Sequence, residues 1–401
     1  VTALPKRFGY IDAQRGLAAI LVIWLHATDA FKQLPTPPVG DLLYAFSAAL
    51  DTGRVGVILF FAISGFVIPS SLRAIGNQTK ADALRVFLIR RVFRLYPAYW
   101  LSVVGAALLG LLFMKPFSLQ TVLLNLTMIQ SVFGAPDVLG LYWTLRLELI
   151  FYIACACLFT LGALQQPRGL VVGMFAGPIV FIVLPRCVHL LNPHWLNPTS
   201  AGPFLNYLTE YALFISVMFW GALFRCWHDR DQAEGTPPFS RAILVVLILF
   251  PLGVCALPVL NWIFYAYLPS ALASKLSVFM PPVSVGLGLF ILLSTKLQIN
   301  SRFTTWLGEI SYSMYLFHPI VLYTLFALLR DNRLPGLANA HLGVYLLLSV
   351  LGSIALSALI YYAVEKPMIR LGRRLSCALT QELWQQPRCT NAKFVAAKCP
   401  L

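Results

Sequence analysis

The sequence predicts an all-α polytopic membrane protein: a bundle of about ten transmembrane helices with one short re-entrant or interfacial helix. Composition is the first reason. Of its 401 residues 59% are hydrophobic and 11% charged, and the mean hydropathy is +0.77, which leaves too little polar surface to cover a soluble globule. The second reason is the length of the apolar stretches, and the third is the placement of the basic residues.

A bilayer crossing needs roughly 17 to 25 residues of helix. Stretches of that kind fall at 14–31, 53–72, 95–114, 141–163, 168–185, 204–225, 242–263, 276–295, 304–329 and 342–364. A further apolar piece, 119–133, is shorter and holds Asn125 and Gln130, so it reads as interfacial or re-entrant. Had it crossed, every later loop would change sides. With a cytoplasmic N-terminus, 22 of the 30 basic residues fall inside, 7 outside, and Arg146 within a span. That is the asymmetry expected of cytoplasmic loops. Ten spans with both termini cytoplasmic is the consistent solution, and a bacterial inner membrane the expected location. The net charge of +15 is therefore a topology signal, not a nucleic-acid footprint.

Residues 1–371 form the expected membrane domain, and 372–401 a short cytoplasmic tail too small for a second catalytic unit. Asp12 and Arg15 argue against a cleaved signal peptide in the first span. Cys155, Cys157 and Cys255 lie in or near spans and Cys377, Cys389 and Cys399 in the tail, so no disulfide or zinc framework is visible and no metal is expected. Trp195, in an outer loop, is placed where it could stack on a sugar.

Ionisable groups are expensive inside a bilayer, which makes those within the spans candidates for function. In "FGYIDAQRGLAAILVIWLHATDAF" eleven positions separate Arg15 from His26. At about 100° per residue the two share a helix face, offset by about 16 Å along the axis. Arg15 thus sits at the inner mouth and His26 at mid-bilayer or somewhat beyond, as a cavity open to the cytosol would require; the competing reading is an interface anchor and a core histidine bonded to a neighbouring helix. In "RRVFRLYPAYW" Arg90, Arg91 and Arg94 can share one side of a helix start. Cations there oppose the macrodipole, and a bound phosphate would relieve the conflict. The competing reading is an ordinary basic membrane flank. In "YWTLRLELIFY" Arg146 and Glu148 must pair, reach water or serve chemistry. In "LGEISYSMYLFHPIV" Glu309, Ser311 and His318 interrupt a long span. Pro319 lacks an N–H, which frees the carbonyl of Met314 or Tyr315 and favours a structural role for His318.

Six blocks in this order, "IDAQRGLAAILVIWLHA", "VILFFAISGFVI", "RRVFRLYPAYW", "YWTLRLELIFY", "LGEISYSMYLFHP" and "YYAVEKPMIRL", make the chain resemble acyltransferase family 3 of integral membrane proteins over about residues 7–371. The resemblance implies a ten-helix bundle that passes acyl groups, usually acetyl from cytosolic acetyl-CoA, to hydroxyls of sugars, lipids or secondary metabolites. It implies His26 as the essential histidine, Arg15 as its partner, and Arg91 with Arg94 as the pair linked to the acyl-CoA. Trp143, Glu148 and Tyr152 match a further family block, in which Thr144 replaces the common Ser. Asp12, Ser64, Tyr315 and His318 lie within the same blocks as supporting residues, with Arg90 beside the donor pair.

The chemistry agrees. Desolvation keeps a mid-membrane His26 neutral and able to accept a proton from an acceptor hydroxyl as that hydroxyl attacks the thioester. An acyl-imidazole on His26 is the alternative, and Arg15 is too distant to hold the oxyanion unless the pocket bends. The expected partners are acyl-CoA, the bilayer, and a carbohydrate, lipid-linked sugar or metabolite acceptor, which makes polysaccharide modification in the cell envelope the expected setting. The other class of function, a polytopic secondary transporter or exporter of a small polar molecule, would explain intramembrane charges but not the lack of repeated halves.

Overall fold

The computed structural model describes residues 8–32, 34, 42–72, 78–113, 115–191, 202–231, 238–263 and 270–385. Among them all regular structure is helical: α1 (Gly9–Phe31), α2 (Leu42–Leu50), α3 (Thr52–Ser71), α4 (Lys80–Phe113), α5 (Leu119–Asn125), α6 (Tyr142–Thr160), α7 (Pro167–Leu191), α8 (Gly202–Asp231), α9 (Pro238–Ile263), α10 (Ser270–Thr295), α11 (Arg302–Glu309), α12 (Ser311–Arg330), α13 (Leu342–Ile360) and α14 (Lys366–Gln385). Six of the described helices are long and apolar enough to cross a bilayer, on α3, α4, α6, α8, α12 and the α13–α14 run. The other four stretches expected to span lie on α1, α7, α9 and α10. The chain is thus an all-α polytopic membrane protein. Trp195, Cys389 and Cys399 lie outside the described residues, as does the side chain of Cys255.

Helices start where the sequence supplies acceptors for the free N–H groups of a first turn. Asp51 accepts from the Arg54 N–H at 3.1 Å to open α3. Ser301 and Thr304 form a capping box on α11. Thr79 and Asp82 bond to each other's side chain and backbone ahead of α4. That last cap corrects the sequence reading of the arginine cluster. α4 begins at Lys80, so Arg90, Arg91 and Arg94 lie well inside a helix rather than at its start, and its free N–H groups are far from them. The hydropathy pattern missed the first part of α4 because that part is rich in charge.

The span expected over 304–329 is two helices, with Ile310 between α11 and α12. The Ser311 hydroxyl bonds the Gly308 carbonyl at 2.8 Å in the turn. The break tilts α11 onto the start of α1, so closely that a Cβ on Gly308 would lie 1.9 Å from the Asp12 carbonyl oxygen. α5 has seven residues and is followed by a 3-10 turn at Gln130–Phe133. At 1.5 Å per residue α5 rises only about 10 Å, so the 119–133 piece is the short element expected. The 371/372 boundary of the sequence reading falls inside α14, which packs along α4.

α1 lies at the centre, against α3, α11, α12 and α13, while α3 is sandwiched between α1, α8 and α10. The α3–α8 seam is backbone against backbone. A Cβ on Gly65 would stand 1.9 Å from the Met218 carbonyl oxygen, and one on Gly221 2.2 Å from that of Ala62. Small residues that admit such approach are how membrane helices gain packing contacts without a solvent-driven hydrophobic term. Gly65→Ala should therefore force the seam apart and cost about 1–3 kcal/mol. Thermal unfolding in detergent should show a lower Tm; an unchanged Tm would mean that α8 yields freely.

Candidate active site

Where α1, α3, α4, α6 and α12 converge, they line a partly open cavity with about 70 Å³ of room for water-sized molecules. Its charged and hydroxyl-bearing lining comes from Arg15, Ser64, Arg94, Thr144, Glu148, Ser311, Tyr312 and Tyr315, its apolar lining mainly from Val57, Phe60, Phe61, Leu95 and Leu145. Of the residues singled out in the sequence, Arg15, Ser64, Arg94, Glu148 and Tyr315 are thus brought to one space. Asp12 is at its edge, paired with Arg15 at 3.2 Å one helical turn away. Tyr152, a turn along α6 from Glu148, donates its hydroxyl to that carboxylate.

Arg94 differs from the other arginines. Among the described residues it makes no hydrogen bond or contact ion pair, yet it lies in the field of Glu365, Glu148 and Asp12. Arg91 is committed elsewhere: it donates to the Ser71 hydroxyl at 3.0 Å, and its guanidinium lies 5.2 Å from the Phe87 ring centroid and 5.3 Å from that of Tyr152. Arg90 points away from both. Although it stands one turn before Arg94, its Nε donates to Ser376 on α14 at 2.9 Å, which draws its guanidinium toward that helix. The expected sharing of one side by all three arginines holds for none but the Arg91–Arg94 pair.

His26 does not line the cavity. It stands behind Tyr315, whose ring centroid is 6.0 Å from that of His318. The His26 and His318 rings meet edge to edge with planes 6° apart and centroids 5.0 Å apart, and His26 Nδ1 is 2.7 Å from His318 Nε2. His318 Nδ1 in turn lies 2.8 Å from the Tyr315 carbonyl oxygen and 3.2 Å from that of Met314. The carbonyl freed by Pro319 therefore has a donor, as the kink required. Tyr315 bonds through its hydroxyl to Thr144 at 2.8 Å, which ties α12 to α6 across the cavity.

Sequence reasoning missed Glu365. The helix widens to a π turn over Tyr361–Glu365, and the Glu365 carboxylate, buried between helices, accepts from Ser313 at 2.7 Å. Such widenings cluster at functional sites. It lies in the closing block "YYAVEKPMIRL", where one carboxylate beside a lysine at a membrane boundary carried no distinct signal. Trp143 does not line the cavity itself; it packs edge-on to the lining residue Phe61 and stacks on Tyr211. Among the described residues no cluster of three His, Cys, Asp or Glu could hold a metal ion.

Arg146, expected to pair or serve chemistry, pairs. Its two terminal nitrogens meet both Asp137 oxygens, at 2.5 and 3.0 Å, and Gln130 donates to the same carboxylate at 2.5 Å. The fork locks the loop before α6 onto the second turn of that helix. Asp137→Ala would leave the guanidinium largely buried and unpaired, with an expected loss of about 3 kcal/mol. The check is a lower Tm with donor KM unchanged; a change in KM at constant Tm would place this pair in the substrate path instead.

A helical membrane bundle that holds an arginine- and carboxylate-bearing cavity beside a histidine pair is the architecture of a membrane-embedded group-transfer enzyme. The family model "Acyltransferase domain", of acyltransferase family 3, matches residues 8–362, and the chain belongs to that family. It is 26% identical over 384 residues to nodulation protein 10 of Rhizobium leguminosarum bv. viciae, covering 88% of this chain and 91% of that one. It is 23% identical over 329 residues to the exopolysaccharide production protein ExoZ of Rhizobium meliloti (strain 1021), covering 80% and 91%. To a putative peptidoglycan O-acetyltransferase, YrhL of Bacillus subtilis (strain 168), it is 25% identical over 350 residues, covering 80% and 51%. No solved structure matches the chain.

Proposed function

We propose that this acyltransferase moves an acyl group, acetyl in the first instance, from cytosolic acyl-CoA to a hydroxyl of a carbohydrate or lipid-linked sugar at the cell envelope. The observation that carries the donor assignment is Arg94, a cation facing the cavity with no hydrogen-bond partner among the described residues and Arg15 beside it. Such a group seeks an anion, and the phosphates of a coenzyme supply several. The relatives named for exopolysaccharide production and peptidoglycan O-acetylation support the acceptor class. The basic asymmetry of the loops supports ten crossings with the N-terminal end of α1, and hence Arg15, toward the cytosol.

In this reading the donor enters from the cytosolic side with its phosphates at Arg94 and Arg15. Its arm extends past Tyr315 toward His26, which lies about 16 Å further along α1. His26 accepts the proton of the acceptor hydroxyl while that oxygen attacks the thioester carbonyl; the C–O bond forms, the C–S bond breaks, and the thiolate leaves. Glu148 and Asp12 hold the arginines in place through their fields and hydrogen bonds. Purified protein given acetyl-CoA and an extract of envelope glycans should release free thiol and leave an acetyl mass on one glycan. Failure to consume acetyl-CoA with any such extract overturns the proposal.

A further inference from the structure

The geometry points to His318 as a positioning residue that decides which nitrogen of His26 is the base. The inference rests on the proposed acyl transfer for its consequence, but not for its geometry.

Pro319 has no N–H, so the Tyr315 carbonyl lacks its helical donor. His318 Nδ1 supplies one at 2.8 Å, with the Met314 carbonyl at 3.2 Å. Both neighbours are carbonyl oxygens, which only accept; Nδ1 of His318 must therefore carry a hydrogen. His318 is fully buried, and among the described residues neither ring has a carboxylate at hydrogen-bond distance. A charged ring would be left without a partner in an apolar interior, so His318 is neutral and its Nε2 is bare. That bare nitrogen lies 2.7 Å from His26 Nδ1. One hydrogen is needed between two nitrogens at this distance, and it can only belong to His26 Nδ1.

The remaining nitrogen, His26 Nε2, then holds the lone pair. It has no hydrogen-bond partner among the described residues, and it is not one of the sealed, unpaired polar atoms of the interior. It opens on accessible space, as a base must. The relay Pro319, Tyr315 carbonyl, His318, His26 thus does by hydrogen bonds alone what a buried carboxylate does for a catalytic imidazole elsewhere: it fixes tautomer and ring orientation together. During transfer Nε2 takes the hydroxyl proton and passes it to the departing thiolate, while Nδ1–H stays on His318 throughout. No hydrogen is gained or lost by His318.

The test has a spectroscopic and a kinetic arm. In the intact protein labelled with [15N]histidine in lipid, His26, assigned by the signals lost in His26→Ala, should show a protonated Nδ1 and a non-protonated Nε2. A protonated Nε2 overturns the inference, and this reading needs no variant of His318 to fold. In the kinetic arm His318→Phe keeps the bulk and removes the acceptor. It should lower kcat roughly tenfold or more with donor KM within about twofold. His318→Gln, whose amide oxygen can accept from His26 Nδ1, should recover part of that loss. Unchanged kcat in His318→Phe, or equal losses in the two variants, would reduce the pair to a clip between α1 and α12 and overturn the positioning role. Because the tautomer is read without acyl transfer, a wild-type protein inert toward acetyl-CoA defeats the proposed function, and a wrong tautomer defeats this inference.

Discussion

His26→Ala is expected to bring acyl transfer below a tenth of the wild-type rate while the protein still inserts and purifies as a monodisperse species. A positioned general base contributes typically about 10²–10⁴-fold, and the Nε2 that His26→Ala bares on His318 belongs to a fully buried ring a residue further from the reacting groups. The substitution also strips His318 Nε2 of its donor, at a cost of about 1–3 kcal/mol for a buried acceptor left unmade. Activity and thermal stability should therefore fall together in His26→Ala. They should separate in His26→Gln, whose amide can still donate to His318 but is not a base. Turnover above a tenth of wild type in either variant would remove His26 from the chemistry.

How far such a site can be read from sequence depends on the range of the interactions that make it. Arg15 and His26 share a helix, so their common face and axial offset followed from helical geometry. Glu148 and Tyr152 are one turn apart, and their hydrogen bond belongs to the same local class. The bilayer sets the lengths of the spans, which is why stretches such as 53–72 and 342–364 fall so close to α3 and α13. The pairing of His26 with His318 crosses 292 positions, and no periodicity carries it. A lone histidine before a proline was therefore assigned to the kink, and its second nitrogen had no assignment. Glu365 was hidden for the same reason, since its partner Ser313 is 52 positions away. Where charge interrupts hydropathy, as at the start of α4, the bilayer's signal fails and helix capping becomes the better guide. That error had a consequence for function: the anion site inferred for the arginines rested on free N–H groups that the longer helix does not offer.

In the proposed reading the arginines therefore bind donor through their side chains, and the structure ranks them. Arg94 faces the cavity unengaged, so Arg94→Ala should raise the KM for acetyl-CoA. Charge-assisted bonds to phosphate are worth about 1.5 to 3 kcal/mol each, which predicts a loss of roughly tenfold to a hundredfold in donor affinity. Arg91 already donates to Ser71 and lies against the rings of Phe87 and Tyr152. Arg91→Ala should then cost more stability than Arg94→Ala and less KM. Arg90→Ala should leave KM unchanged, because its partner Ser376 lies on α14, away from the cavity. Arg94→Lys should rescue only in part, since a point charge lacks the planar fork that spans two phosphate oxygens. The donor supplies the control: acetyl-CoA without its 3′-phosphate should be a poorer substrate for wild type, with a smaller penalty in the variant that has lost the contact. If the two donors differ equally in wild type and in Arg94→Ala, the 3′-phosphate is held elsewhere. If the KM for acetyl-CoA is also unchanged, the unengaged cation serves the acceptor side of the cavity, and the donor must enter by a route that Arg94 does not guard.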